Sequence, residues 1–353
     1  MGAMSSYDAL LLVSFGGPEG PADVIPFLEN VTRGRNVPRE RLAAVGAHYY
    51  RFGGVSPINR QCRELKAAIE ADFATHGLDV PVYWGNRNWR PYLADAVRGM
   101  RADGVGHAAA FVTSAYSCYS CCRQYLEDIE RARAEVPGAP EIDKLRIYCN
   151  HPGFVEPFVE ATRAALAGMP DDAQLIFTAH SVPLAQPGRA RYVAELTDVA
   201  QVVRDRAAPD RSWALVYQSR SGPPTQPWLE PDVGDHLQRL HAAGVEAAVI
   251  VPIGFVSDHM EVKYDLDVEA DALAAKLGMR LARAATPGTH PRFVAMVREL
   301  FVERTAAGSG TDGGAGADAG AGTGTGIGTR PVVGSLGPRP DTCPADCCRK
   351  GEP

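Results

Sequence analysis

No apolar run in the 353-residue chain approaches the roughly 20 residues needed to cross a bilayer, so a membrane-spanning helix is not expected. Basic charge is not in excess: 36 Lys and Arg stand against 42 Asp and Glu, a net charge of −6. The basic footprint of a nucleic-acid binder is therefore missing. Met1–Ser14 has neither the basic n-region nor the cleavage site of a secretory signal, which makes the cytoplasm the expected location. No repeat of solenoid period is visible. Disulfides are rare in a reducing compartment, so the eight cysteines read as thiols or metal ligands. The chain does have 45% apolar residues and a length that suits two α/β domains of roughly 100–200 residues each.

Short apolar runs alternate with longer segments of helical periodicity. The runs are Ala9–Phe15, Pro81–Gly85, Ala108–Ser114, Lys144–Cys149, Ala173–His180, Trp213–Ser219, Ala247–Phe255 and Met279–Ala284. Such alternation predicts an α/β protein of parallel strands joined by right-handed helical crossovers. Eight strands divide naturally into two similar halves near Glu141–Gly153, giving domains at 7–150 and 151–285 and a terminal helix at 286–305. After Thr305 the composition changes. Residues 308–337 hold 12 of the 36 glycines, so 306–342 reads as a flexible tether leading to a cysteine-rich end at 343–353.

Ligands of parallel α/β sheets bind beyond the carboxyl ends of the strands. His180 in FTAHSVP closes one apolar run, where an imidazole is suited to proton transfer or metal binding. A helix-capping or core role is the equal alternative from position alone. Glu261 follows another strand end in VPIGFVSDHMEVKYDLDVE. Asp258, Glu261, Asp265 and Glu269 recur at spacings of three, four and four, on one helical face. For Asp265 and Glu269 a solvated acidic face competes with a functional role. A His–carboxylate pair suits a divalent cation of intermediate hardness such as Fe²⁺, and suits proton removal from a substrate. The segments YYRFGGVSPIN, GNRNWRPY and YQSRSGPPTQPWLEPDV join Gly turns, aromatics and arginines, materials for a broad pocket that grips carboxylates.

Cys343, Cys347 and Cys348 need one further thiolate to complete a four-thiolate site for zinc or an iron–sulfur cluster. Cys118, Cys121, Cys122 and Cys149 follow strands, whereas Cys62 sits in a helical pattern as a small core residue.

Through LLVSFGGPEG, NVTRGR, FGGVSPIN, GNRNW, SAYSCYSCCRQY, FTAHSVP, QSRSGPPTQPWLEPDV and PIGFVSDHMEVKYDLD, the sequence resembles the ferrochelatases, in particular the actinobacterial type akin to coproporphyrin ferrochelatases. The resemblance spans Asp8 to about Glu303. It implies two Rossmann-like domains, each with a four-stranded parallel sheet, and a porphyrin cleft between them. It implies insertion of Fe²⁺ into coproporphyrin III with loss of two pyrrole protons, His180 and Glu261 forming the metal pair. Ser56 and Tyr125 match porphyrin-contacting positions, and Asp258, His259, Asp265 and Glu269 match an acidic metal or proton path. The tail is similar to those that carry a [2Fe–2S] cluster, held by Cys343, Cys347, Cys348 and an internal cysteine; Cys122 matches best, with Cys118 and Cys149 as alternatives. Phe15 stands where several bacterial relatives have Tyr. Protoporphyrin IX or another metal as substrate, or a non-catalytic haem or iron carrier, are the competing readings. Oligomeric state is not legible.

Overall fold

The structure is a computed structural model that describes residues 7–222, 225–308, 330–344 and 347–348. Its first sheet holds β1 (Ala9–Ser14), β2 (Val82–Asn86), β3 (His107–Val112) and β4 (Glu141–Lys144), in the order β2-β1-β3-β4. The second holds β5 (Gln174–His180), β6 (Trp213–Gln218), β7 (Ala247–Val251) and β8 (Arg280–Arg283), in the order β6-β5-β7-β8. Every pairing is parallel. The central strands β1 and β7 are buried at every position, as apolar runs covered on both faces must be. Helices α1 (Val24–Val31), α2 (Arg39–Tyr50), α3 (Ile58–Thr75), α4 (Leu93–Ala102) and α5 (Gln124–Ala134) serve the first sheet. Helices α6 (Pro152–Leu166), α7 (Arg189–Ala207), α8 (Val233–Ala242), α9 (Met260–Tyr264) and α10 (Asp271–Leu277) serve the second, and α11 (Pro291–Gly308) follows. On α3, Cys62, Leu65, Ile69 and Phe73 repeat every three or four residues and form its buried face, so Cys62 is a core residue. No helix among the described residues is long and apolar enough to cross a membrane.

Seven of the eight expected strands are found within a few residues of their sequence positions. The exception is β4, which ends at Lys144 where a strand was expected to begin. Residues 145–150 are buried, and Leu145, Ile147, Tyr148 and Cys149 join the core shared by both halves, so their apolar character reflects a covered connection. The hydrogen bonds Leu145 N to Ala110 O (2.9 Å) and Cys149 N to Ala115 O (3.1 Å) pin this segment.

One hydrophobic core runs through both halves, uniting Leu10, Leu12 and Phe111 with Leu175, Phe177 and Val249. At its centre Phe154 of α6 makes edge contacts with Tyr116, Tyr148 and Phe158 and a tilted one with Phe293. Phe154→Ala would leave a cavity among these rings and is expected to cost about 3–5 kcal/mol, read as a fall in the urea midpoint at unchanged slope. α11 lies against α3 and α6, and Glu303 grips the buried Arg146 in two hydrogen bonds of 2.6 and 3.0 Å.

The expected tether to residue 342 is corrected at its far end; its stretch 309–329 lies outside the described residues. From Arg330 the chain is fastened to the body. Arg330 pairs with Glu303 and Asp341, Val333 N donates to Asn150 O (2.8 Å), and Asn150 Nδ2 donates to Leu336 O (2.7 Å). Ser335 bonds Asp198 of α7 through its backbone N and Oγ, and Arg339 lies 3.5 Å from the buried Glu195. Glycine content alone predicted freedom, while Arg330, Ser335, Arg339 and Asp341 among the glycines supply the anchors, with Asn150 and Asp198 of the body as partners.

Candidate active site

Tyr116 Oη, just after β3, donates to Ile253 O, just after β7 (2.9 Å), which brings the carboxyl ends of strands from the two sheets together. Gly16 and Gly17 make the turn after β1. A Cβ on Gly17 would sit 2.6 Å from the Cβ of Ser56, so glycine lets Ser56 pack beneath this loop.

His180 is the last residue of β5. Its Nδ1 lies 2.5 Å from the Ser181 carbonyl, which only accepts, so Nδ1 carries a proton and Nε2 faces away toward Glu261. Glu261 opens α9, and its Oε1 is 3.4 Å from His180 Nε2. The side chains remain 33% and 43% exposed, so a ligand can reach both. Partial burial by itself would favour the neutral imidazole, but the Glu261 carboxylate outweighs it and raises the His180 pKa to about 9. Burial likewise favours the neutral carboxyl of Glu261, and the imidazolium outweighs it, holding that pKa at about 2. The resting pair at neutral pH is therefore imidazolium and carboxylate.

Beyond Glu261 the helix widens into a π-helical turn at Asp265–Ala270, a local device frequent at functional sites. Burial, with Glu261 and Glu269 adding repulsion, raises Asp265 to about 7. His259 caps α9, its Nδ1 accepting from Glu261 N (3.2 Å), and burial keeps its pKa low and the ring neutral. Asp258 departs from the shared acidic face expected of it. It lies before α9, and Arg283 and Thr286 Oγ1 hold its carboxylate, Arg283 Nη2 at 3.0 Å. It lines a separate 350 Å³ cavity between the halves, along with Cys62 and Arg60.

The two matched porphyrin positions lie in the first half. Ser56 is buried under Gly17. Tyr125 is packed on the face of the first sheet covered by α4 and α5, with the Arg87 guanidinium 4.8 Å from its ring centroid. Arg87 also lies 5.7 Å from the Phe15 ring centroid and pairs with Asp128 at 2.8 Å.

Sequence reasoning did not single out several residues. His48 of α2 stacks on Tyr264 of α9 (centroids 3.7 Å apart, planes at 7°), joining the halves beside the site. Burial, with Glu261 and Asp265 nearby, pushes the neighbouring Tyr49 phenol up. Gln218 and Ser219 at the end of β6 touch the backbone of Glu261 and the carboxylate of Asp265. The aromatic pair in YYRFGGVSPIN was the one visible signal.

The tail brings its thiols to one internal cysteine. Cys343 donates to Cys122, which that bond holds down to about 6 against its burial, with Lys144 and Arg339 helping; Cys343 is correspondingly pushed up. Cys347 contacts Cys343, and its Sγ is 3.8 Å from that of Cys348. Cys149 is fully buried away from this string, and Cys118 bonds Cys121 and Ser120. The four thiols form a chain of contacts rather than a closed cage: among the described residues no group of three or more His, Cys, Asp or Glu is arranged to enclose a metal.

The ferrochelatase family model matches residues 7–305. The chain belongs to the ferrochelatase family. It is 53% identical to the coproporphyrin III ferrochelatase of Streptomyces griseus, over 97% of this chain and 93% of that protein. It is 49% identical to the ferrochelatase of Rhodopirellula baltica, over 99% and 95%. Among solved structures, the sirohydrochlorin chelatase SirB of Bacillus subtilis matches with a TM-score of 0.51 at 14% identity, over 85% of this chain and 96% of that one, a likeness of fold. A two-sheet chelatase fold is thus what positions the His180–Glu261 pair.

Proposed function

We propose that this ferrochelatase inserts Fe²⁺ into coproporphyrin III in haem biosynthesis, with His180 and Glu261 as the residues that receive metal and protons. The observation that carries this is the facing pair at the end of β5 and the start of α9, His180 Nε2 at 3.4 Å from Glu261 Oε1, both partly exposed. Two of the relatives that are more than half identical and matched over nearly their whole length carry the coproporphyrin name, which supports that substrate. One nitrogen and one carboxylate oxygen suit Fe²⁺.

The chemistry follows from the proton inventory. Two pyrrole protons must leave as Fe²⁺ enters. His180 holds a proton in the resting pair, so Nε2 must first release it, to solvent or through metal binding at Glu261. The neutral imidazole then accepts a pyrrole proton or ligates the ion. Asp265 and Glu269 continue the carboxylate line from Glu261 and would carry metal or protons; Asp258, held by Arg283, contributes least to that line. Ser56 and Tyr125 are proposed to support the macrocycle from the first half, the buried Tyr125 acting through Arg87. Anaerobic turnover with coproporphyrin III and protoporphyrin IX side by side tests the substrate: conversion of the first at least tenfold faster supports the reading, and preference for the second overturns it. Binding without conversion would make the protein a carrier.

For the tail we propose a [2Fe–2S] cluster held by Cys122, Cys343, Cys347 and Cys348. The fit rests on the Cys122 thiolate, the form that ligates metal, and on the string of three tail thiols that meets it. Such a cluster would supply one-electron redox chemistry and a covalent tie between tail and body. Cys122→Ser is expected to abolish visible absorbance of anaerobically purified protein while Cys149→Ser retains it; a colourless wild type containing zinc overturns the assignment.

A further inference from the structure

Gln218 ends β6 and is 1% exposed. In the sheet it is the register partner of His180, and its carbonyl accepts from Ser181 N (2.8 Å), so its backbone fixes the end of the strand that carries His180. Its side chain turns the other way. Nε2 donates to the backbone carbonyl of Glu261 (3.0 Å); the partner only accepts, so this atom is the amide nitrogen. Oε1 is buried with no hydrogen-bond partner among the described residues, so the amide is oriented by the bond to Glu261 alone. One residue thus ties the strand end bearing His180 to the helix start bearing Glu261. The next residue extends the tie. Ser219 has φ of +63°, a left-handed turn that favours glycine, and its Oγ bonds Asp265. A glycine would relieve that backbone but would lose the hydroxyl that holds Asp265.

We infer that Gln218 is a positioning residue for metal insertion: it sets the separation of His180 and Glu261 by bonding the backbone of both elements. This rests on the His180–Glu261 reading of the site. The connection before α9 is tied to β5 further back, by Gly254 N to Thr178 O (3.0 Å), and Ser219 holds Asp265 beyond it; the Gln218 amide is the bond made at Glu261 itself, so its loss loosens α9 locally where the carboxylate is carried. Misplacement by about 1 Å can cost on the order of 10²-fold in rate.

The test uses the full-length protein under anaerobic conditions, with Fe²⁺ and coproporphyrin III. Gln218→Met keeps length and the strand backbone bonds but removes the donor. It is expected to raise the KM for Fe²⁺ about tenfold and lower kcat several-fold, with porphyrin affinity within twofold and the melting temperature nearly unchanged. Gln218→Glu, a polar isostere whose carboxylate cannot donate, is expected to match it, which keeps the test available if the methionine variant folds poorly. Gln218→Asn, which retains the amide on a shorter arm, should recover part of the loss. Wild-type KM for Fe²⁺ in the Met and Glu variants overturns the inference, as does a parallel loss of porphyrin binding. His180→Ala is run alongside: its inactivity together with a wild-type Gln218→Met sinks the positioning role alone, and an active His180→Ala sinks the site reading.

Discussion

His180→Ala is expected to lower Fe²⁺ insertion on the order of 10³-fold, within the range of a lost acid–base group, while the porphyrin still binds. The reason lies in how the residue is held. Nδ1 is committed to the Ser181 carbonyl, so Nε2 is the ring nitrogen left for chemistry, and it faces Glu261. The side chain is a third exposed, and an ion pair so open to solvent contributes little stability. Removing it should therefore spare the fold, and circular dichroism and porphyrin fluorescence quenching would report this. Wild-type turnover in the variant would falsify the assignment.

A second large effect concerns pH. With His180 raised to about 9 by Glu261, its base form is scarce at neutrality. Wild-type kcat/KM for Fe²⁺ should rise about tenfold per pH unit between pH 6 and 8, because each step of pH frees more Nε2. Glu261→Gln removes the carboxylate that holds the proton. The imidazole pKa then falls, leaving the Ser181 carbonyl and Asp265 to raise it against burial, and the rising limb should move to lower pH while the absolute rate falls. A limb that stays in place in Glu261→Gln would show that some other group controls it. Stability moves the opposite way. The His180 contribution is complete below pH 6.5 and is lost as pH climbs through about 9. That of Glu261 is complete above 4.5 and is lost as pH falls through about 2.

The strand–helix alternation and the His180–Glu261 pair were legible because each depends on local pattern: an apolar run, then a polar residue at its end. Burial without a strand misled at residues 145–150, where a buried connection has the same composition as a sheet edge. The acidic spacing of three, four and four could not foresee that α9 begins only at Met260, nor Arg283, which arrives from β8 and takes Asp258 out of line. Gln218 was invisible for a related reason. A polar residue before Ser-Arg-Ser-Gly reads as an ordinary turn, and its meaning depends on the register of β6 against β5. The stack of His48 on Tyr264 depends on how α2 meets α9, which no single-chain periodicity encodes.

The fastenings between Arg330 and Asp341 have a consequence for the thiols. Cys343 lies two residues past an anchored aspartate, so its effective concentration at Cys122 is set by that short leash and not by the number of residues between 308 and 330. Insertions or deletions in that intervening stretch should leave thiol delivery intact, whereas a charge reversal at Arg330, which removes the partner of Asp341, should weaken the leash nearest Cys343 while the Val333, Ser335 and Arg339 anchors stay in place.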